Sequence, residues 1–162
     1  MKEGGWERRE QAVAMVRKVC TFDEDEQIHC ISSEYLGLRT AETAEDSKGL
    51  EVIRRWDLGE LKIGDPRSVP IESVDASVQG LFIRDVLVHY LSDSLGTISA
   101  DPSPWGTRLP LIIELSSGER LLYDGTHRWA AAKLLGRRVF TAQILSAKGD
   151  TEVGSALSRP DR

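Results

Sequence analysis

Leu121-Leu122-Tyr123-Asp124-Gly125-Thr126-His127-Arg128-Trp129-Ala130-Ala131-Ala132-Lys133-Leu134-Leu135-Gly136 decides how this chain is read. Residues 121–123 are apolar and follow a turn at Ser116-Ser117-Gly118, so they predict a short strand. Asp124-Gly125 breaks that strand, because glycine accepts backbone angles that other residues avoid. Thr126 is placed to cap a helix, residues 130–135 favour one, and Gly136 is placed to end it. Residues 139–145 then read as another strand. A strand–helix–strand unit predicts two parallel strands joined by a right-handed crossover.

The chemistry lies at the turn. A helix start offers free N–H groups and a partial positive charge, which suit an anion. His127 and Arg128 fall in the first helical turn. Residues 126–138 hold Arg128, Lys133, Arg137 and Arg138 and no acid. A guanidinium forks onto two phosphate oxygens. Asp124, at the strand end, is placed to hold a divalent cation such as Mg²⁺ or to act as a base. The turn therefore predicts a phosphate site built from Gly125, Thr126, His127 and Arg128, with Asp124 and His127 as the catalytic candidates. First-turn side chains lean toward the helix start and its exposed N–H groups, so His127 and Arg128 are expected to serve the site, with Arg128 behaving as a surface residue toward folding, and Ala131, Leu134 and Leu135 to serve the fold.

Asp-Gly-Thr-His-Arg, a short alanine-rich helix, a glycine and a closing strand together resemble the signature of the ParB/sulfiredoxin superfamily. The resemblance is best over residues 109–145 and reaches back weakly to about Val69. It implies a mixed α/β domain in which this turn cradles nucleotide phosphates, with ATP or CTP as the ligands. Three departures qualify it. Sulfiredoxins carry a reactive cysteine where this chain has Thr126, so sulfinic acid reduction is expected to be absent. Partition proteins carry Gly-Glu-Arg-Arg and a following helix-turn-helix, which these residues do not repeat. Free-serine kinases carry a second histidine where Thr126 stands. Some members of the superfamily place a glutamine near Gln79.

Two function classes follow. One is a nucleotide-using enzyme, transferring phosphate to a small acceptor or hydrolysing nucleotide. The other is a regulatory or DNA-associated binding module that keeps the fold without turnover.

Charge and composition narrow the partners. The chain has 162 residues and a net charge of −5, with a pI near 5.3. Residues 1–47 hold 6 basic and 11 acidic side chains, so the acidity belongs to the N-terminal stretch. That balance disfavours broad nucleic-acid binding, which rests on phosphate neutralisation. No apolar run suggests a membrane span or a signal-peptide core. Cys20 and Cys30 make no disulfide framework, and a cytoplasmic setting is the default expectation. With His29 they fit no common zinc spacing.

The remaining segments predict the following order. Residues 7–20 have apolar positions at helical spacing, and residues 27–31 read as a strand. Residues 35–45 are ambiguous between strand and helix. Ser47-Lys48-Gly49 breaks the pattern, and residues 50–56 and 58–63 read as two short strands. Residues 69–74 read as a strand, and residues 77–79 as the start of a helix covering 81–95. His89 on that helix reads as structural. Arg84 is a weaker site candidate, better explained by pairing with Asp85 or Glu72. Residues 97–109 form a long loop in which Trp105 is placed to cover a bound base or, as is commoner for a tryptophan, to anchor the loop to the core. Residues 110–115 and 119–123 predict a hairpin. The division expected is an acidic, partly helical extension over 1–49, anchored by Trp6 and Trp56, a domain over 50–146 and a loose tail over 147–162. A protein partner would meet the extension.

Overall fold

The computed structural model describes residues 2–92 and 109–148, with side chains from residue 8 onward. The loop around Trp105, the side chain of Trp6 and nearly all of the expected tail lie outside the described residues. The described residues form a mixed α and β fold, with four α-helices and two sheets among them.

Helix α1 (Lys2–Val19) buries Ala12 and Val16. Strands β1 (Thr21–Asp23), β2 (Ile28–Ser32) and β6 (Leu81–Ile83) form an antiparallel sheet of three. The second sheet has six strands in the order β3-β5-β8-β7-β9-β4. Its members are β3 (Arg39–Thr40), β4 (Arg67–Pro70), β5 (Ala76–Ser77), β7 (Leu111–Glu114), β8 (Arg120–Asp124) and β9 (Val139–Ser146). Helices α2 (Thr43–Asp57), α3 (Arg84–Ser92) and α4 (Thr126–Leu134) complete the chain.

Alternate residues of a strand face opposite sides, and here each side has its own core. Ile112, Leu122, Phe140 and Ala142 join Val16, Phe82, Leu87, Leu91 and Trp129 from the other elements. Ile113, Leu121 and Leu145 join Val52 of α2 and Leu61. The sheet is therefore sandwiched, with α2 on one face and α4 and α3 on the other.

The hairpin β7–β8 forms as predicted, turning at Gly118 with φ near +94°. The parallel pair does not. β9 lies beside β7 and parallel to it, while β8 pairs antiparallel with β7, so β8 and β9 run in opposite directions without touching. The hairpin has already filled the position next to β8, and the chain leaving α4 finds its open edge at β7.

The stretch read as strands at residues 50–56 is helix α2. Its inward positions, Gly49, Val52, Ile53 and Trp56, repeat at helical spacing. Gly49 lies inside this helix rather than breaking it. A Cβ there would lie 3.4 Å from Leu121 and 3.5 Å from Tyr123, ordinary packing distances, so this position of the helix faces the sheet directly. Residues 58–63 form no strand beyond a single bridge from Ile63 to Leu145. The boundary expected at residue 49 thus falls within α2, and β2 and β3 of the N-terminal stretch pair with β6 and β5.

The helix expected from residue 77 begins at Arg84. Residues 76–77 and 81–83 are claimed by sheet pairing first, β5 with β8 and β6 with β2. Val86, Leu87, Tyr90 and Leu91 are buried on α3 as the periodicity predicts. Residues 69–74 are split: β4 ends at Pro70 and a 3₁₀ turn covers Ile71–Ser73.

Candidate functional site

At the end of β8 the ladder carries a bulge. Leu111 pairs with Asp124 and Ile112 with Leu122, so Tyr123 has no opposite number. Such an irregularity re-aims the residues that follow, here Asp124 and the turn. Gly125 then adopts φ 79° and ψ 27° and precedes α4 as its N-cap. A Cβ on Gly125 would meet Pro110 at 2.6 Å, so this position needs glycine for both conformation and space. Thr126 is not the cap that the sequence suggests. It is buried, and its hydroxyl donates to Gln79 Oε1 at 3.1 Å.

No side chain caps α4. The N–H groups of Arg128 and Trp129 both reach Gly125 O at 3.1 Å. The Gly125 N–H donates to Asp124 Oδ1 at 2.8 Å. The N–H groups of Thr126 and His127 have no intrahelical partner, as α-helix geometry requires of a first turn.

In front of them lies a cleft of about 280 Å³. Gln79, Asp124, Gly125, Thr126, His127 and Arg128 supply its polar wall. Ile83, Val86 and Tyr90 supply an apolar one. All five residues of the sequence motif and Gln79 are thus brought together. Gln79 is held by its own loop: its N–H donates to Ser77 Oγ at 3.1 Å, and its Nε2 donates to Leu81 O at 2.7 Å.

Arg128 is only 4% exposed, which overturns the expectation of an exposed first-turn residue. Its guanidinium stands 6.0 Å from the ring centroid of Tyr90. The other basic residues disperse. Lys133 sits over the Trp129 ring at 5.4 Å and 3.8 Å from Glu72, while Arg137 and Arg138 are exposed beyond the helix. Positive charge in the cleft therefore rests on Arg128.

His127 is held as a neutral ring. Its Nε2 accepts from the Ile83 N–H at 2.8 Å, which places the ring proton on Nδ1. Burial lowers its pKa to about 4. At neutral pH it offers a hydrogen bond and no cationic charge.

Asp124 is exposed at the mouth of the cleft, and Arg84 lies outside the lining and pairs with Asp85 at 3.1 Å. Trp129 anchors the helix: it is buried, and its Nε1 donates to Ile71 O at 3.1 Å. Leu134, expected in the core, is half-buried, and the buried face is Trp129, Ala130, Ala131 and Ala132.

No group of three or more His, Cys, Asp or Glu side chains converges among the described residues. Cys20 and Cys30 are buried free thiols whose pKa values burial raises. No helix among the described residues is long and apolar enough to cross a membrane.

Comparison with protein-family models, with curated proteins and with solved structures returns no match. The chemistry of the cleft therefore carries the functional argument alone.

Proposed function

We propose that the cleft binds the phosphates of a nucleoside di- or triphosphate, ATP or CTP, in a domain of the ParB/sulfiredoxin type. The carrying observation is a nearly buried guanidinium, Arg128, beside the open helix start of α4. A phosphate in the cleft would accept from the fork of Arg128 and from the N–H groups of Thr126 and His127. Tyr90, Val86 and Ile83 offer the apolar wall that the rest of a nucleotide needs.

Asp124 fits the role of a single Mg²⁺ ligand. Its Oδ1 serves Gly125, its other oxygen is open among the described residues, and Mg²⁺ commonly takes one or two carboxylates, with phosphates and water completing its shell. When bound, the ion would neutralise charge on the phosphates. The chain's own part is positioning and charge stabilisation, which is most of what phosphoryl transfer asks of a protein. Transfer to a small acceptor is the reading favoured here; Asp124 would then receive the acceptor's proton in place of holding the ion. Hydrolysis would use water in the acceptor's place.

A panel of nucleotides with thermal melting tests the binding. A ligand at a hundredfold its Kd raises stability by about 2.7 kcal/mol. Failure of every nucleotide at millimolar concentration to shift the Tm, with or without Mg²⁺, would sink the proposal. Nucleotide consumption abolished in Asp124→Ala is the expected sign of turnover. Binding without consumption would instead identify a regulatory module.

A further inference from the structure

Asp124 faces two cavities. Beside the phosphate cleft lies a second one of about 200 Å³, lined by Trp56, Ile63, Leu109, Leu111, Asp124 and Gln143. Nothing in the phosphate-binding argument uses it. We propose that this second cavity holds the phosphate acceptor, and that the acceptor is a compact alcohol with an apolar body, a second hydrogen-bond donor and no negative charge. The proposal rests on the nucleotide reading of the first cleft and names the substrate class that would complete it.

The wall chemistry selects that class. Trp56, Ile63, Leu109 and Leu111 are apolar and suit a small hydrocarbon body. Both polar groups offer an acceptor. Asp124 is a carboxylate, and Gln143 spends one Nε2 hydrogen on Gly64 O at 3.1 Å, leaving its amide oxygen as an acceptor beside the second Nε2 hydrogen. A ligand that donates at two points can span them. Among the described residues no lysine, arginine or histidine lines the cavity, so a carboxylate or phosphate on the ligand would meet Asp124 with no described cation to balance it. Free amino acids and sugar phosphates are disfavoured on this ground. An amino alcohol satisfies every wall, because Trp56 and Asp124 both favour a cation.

The shared residue gives the step its geometry. The alcohol oxygen attacks the γ-phosphorus, forming the new P–O bond. The bond from that phosphorus to the β–γ bridging oxygen breaks, and its electron pair leaves with the nucleoside diphosphate. The alcohol proton passes to Asp124 and then to solvent. The products are a phosphate monoester, a nucleoside diphosphate and one proton.

Leucinol, leucine and isoamyl alcohol are suitable probes for the full-length protein, followed by NMR titration. Leucinol is expected to bind, leucine at least tenfold more weakly. Ile63→Trp, which fills the cavity, should weaken leucinol at least tenfold in protein that circular dichroism shows to be folded. Gln143→Leu should weaken leucinol more than threefold and isoamyl alcohol far less, and it decides the matter if Ile63→Trp does not fold. A non-hydrolysable ATP analogue and leucinol should bind together. Equal affinity for leucinol and leucine, no binding of leucinol, an unchanged affinity in the folded variants, or displacement of leucinol by the analogue would each overturn the proposal. Nucleotide-induced melting shifts without leucinol report on the first cleft separately. If they are absent while leucinol binds, the nucleotide reading fails and the acceptor role fails with it. If they are present while leucinol does not bind, only the acceptor pocket is lost.

Discussion

Two helix starts in this molecule face the same problem and answer it in opposite ways. At α2 the chain satisfies itself. Glu45 turns back to accept from the Glu42 N–H at 2.7 Å, and it is also bridged by Arg39, whose Nη2 lies 2.6 Å away. Arg39 reaches on to Glu119 in the β7–β8 turn, so the helix start is tied to the sheet. These contacts hold the Glu45 carboxyl well below the usual range, the Arg39 hydrogen bond being the largest cause. Two acids, Glu45 and Asp46, occupy that first turn. At α4 there is no acid in the first turn and no side-chain cap, and a left-handed glycine stands where a cap would be. A buried arginine and a neutral histidine take the acid's place. One start is closed by its own carboxylates and serves stability. The other has no side-chain cap among the described residues, and it is the start to which the proposed anion site belongs.

The contrast predicts a graded set of losses. Gly125→Ala should be the most damaging, because it combines a left-handed φ with a 2.6 Å clash on Pro110. Strain and overpacking together give a loss of about 2–5 kcal/mol in urea denaturation. Gly59→Ala makes the control: its φ is +81°, but a Cβ would meet nothing within 4 Å. It should cost only about 1–2 kcal/mol, and equal losses at both sites would mean that the Pro110 contact is unimportant.

The neutral His127 carries a pH signature. Its folded pKa, about 4, lies below the ordinary 6.5, so the unfolded chain binds the proton more readily. Stability should therefore fall as pH drops from 6.5 through 4 and level off below. The linked loss is on the order of 3 kcal/mol. His127→Gln keeps an acceptor for Ile83 and should remove this component from the difference curve. A wild-type and a variant curve of identical shape between pH 4 and 6.5 would contradict the buried neutral ring.

Arg128→Ala should act on both fold and ligand. Its burial predicts a stability loss of about 1–3 kcal/mol, larger than a surface change would give. Nucleotide affinity should fall by about 1.5–3 kcal/mol in calorimetry. Arg128→Lys keeps the charge and loses the fork, so it should recover only part of that affinity. Unchanged affinity in a folded Arg128→Ala protein would remove the main support for the open start of α4.

The smallest effect belongs to the closed start. Glu45→Ala removes a helix-start contact and one arm of an exposed ion pair, for about 0.5–2 kcal/mol. Nucleotide-induced melting shifts should be unaltered. A change in those shifts would show that the two helix starts are coupled through the sheet.

What the sequence determined by itself is local. The hairpin, α1, α4 and β9 follow from short-range pattern, and the turn at residues 124–128 is recognisable because glycine, a strand end and a helix start occur within five residues. The cluster at the turn was legible because each residue type advertises its chemistry without needing its neighbours, whereas Gln79 entered only through the family resemblance and the fold brings it beside the turn. What only the tertiary structure decided is direction, burial and charge state. The apolar run at residues 50–56 suits strand or helix until packing on Leu121 and Tyr123 selects the helix, with Gly49 as the point of contact. Leu81–Ile83 continues a helical pattern yet becomes a strand because β2 offers it hydrogen bonds. β9 lies beside β7 because the hairpin has filled the place next to β8. His127 and Arg128 look alike in sequence, two basic residues in one helical turn. Burial against Phe82 and the Ile83 N–H makes the first a neutral acceptor, while the second is buried near Tyr90. The second cavity beside Asp124 joins Trp56 to Gln143, residues far apart in the chain, and such a meeting is written in no local pattern.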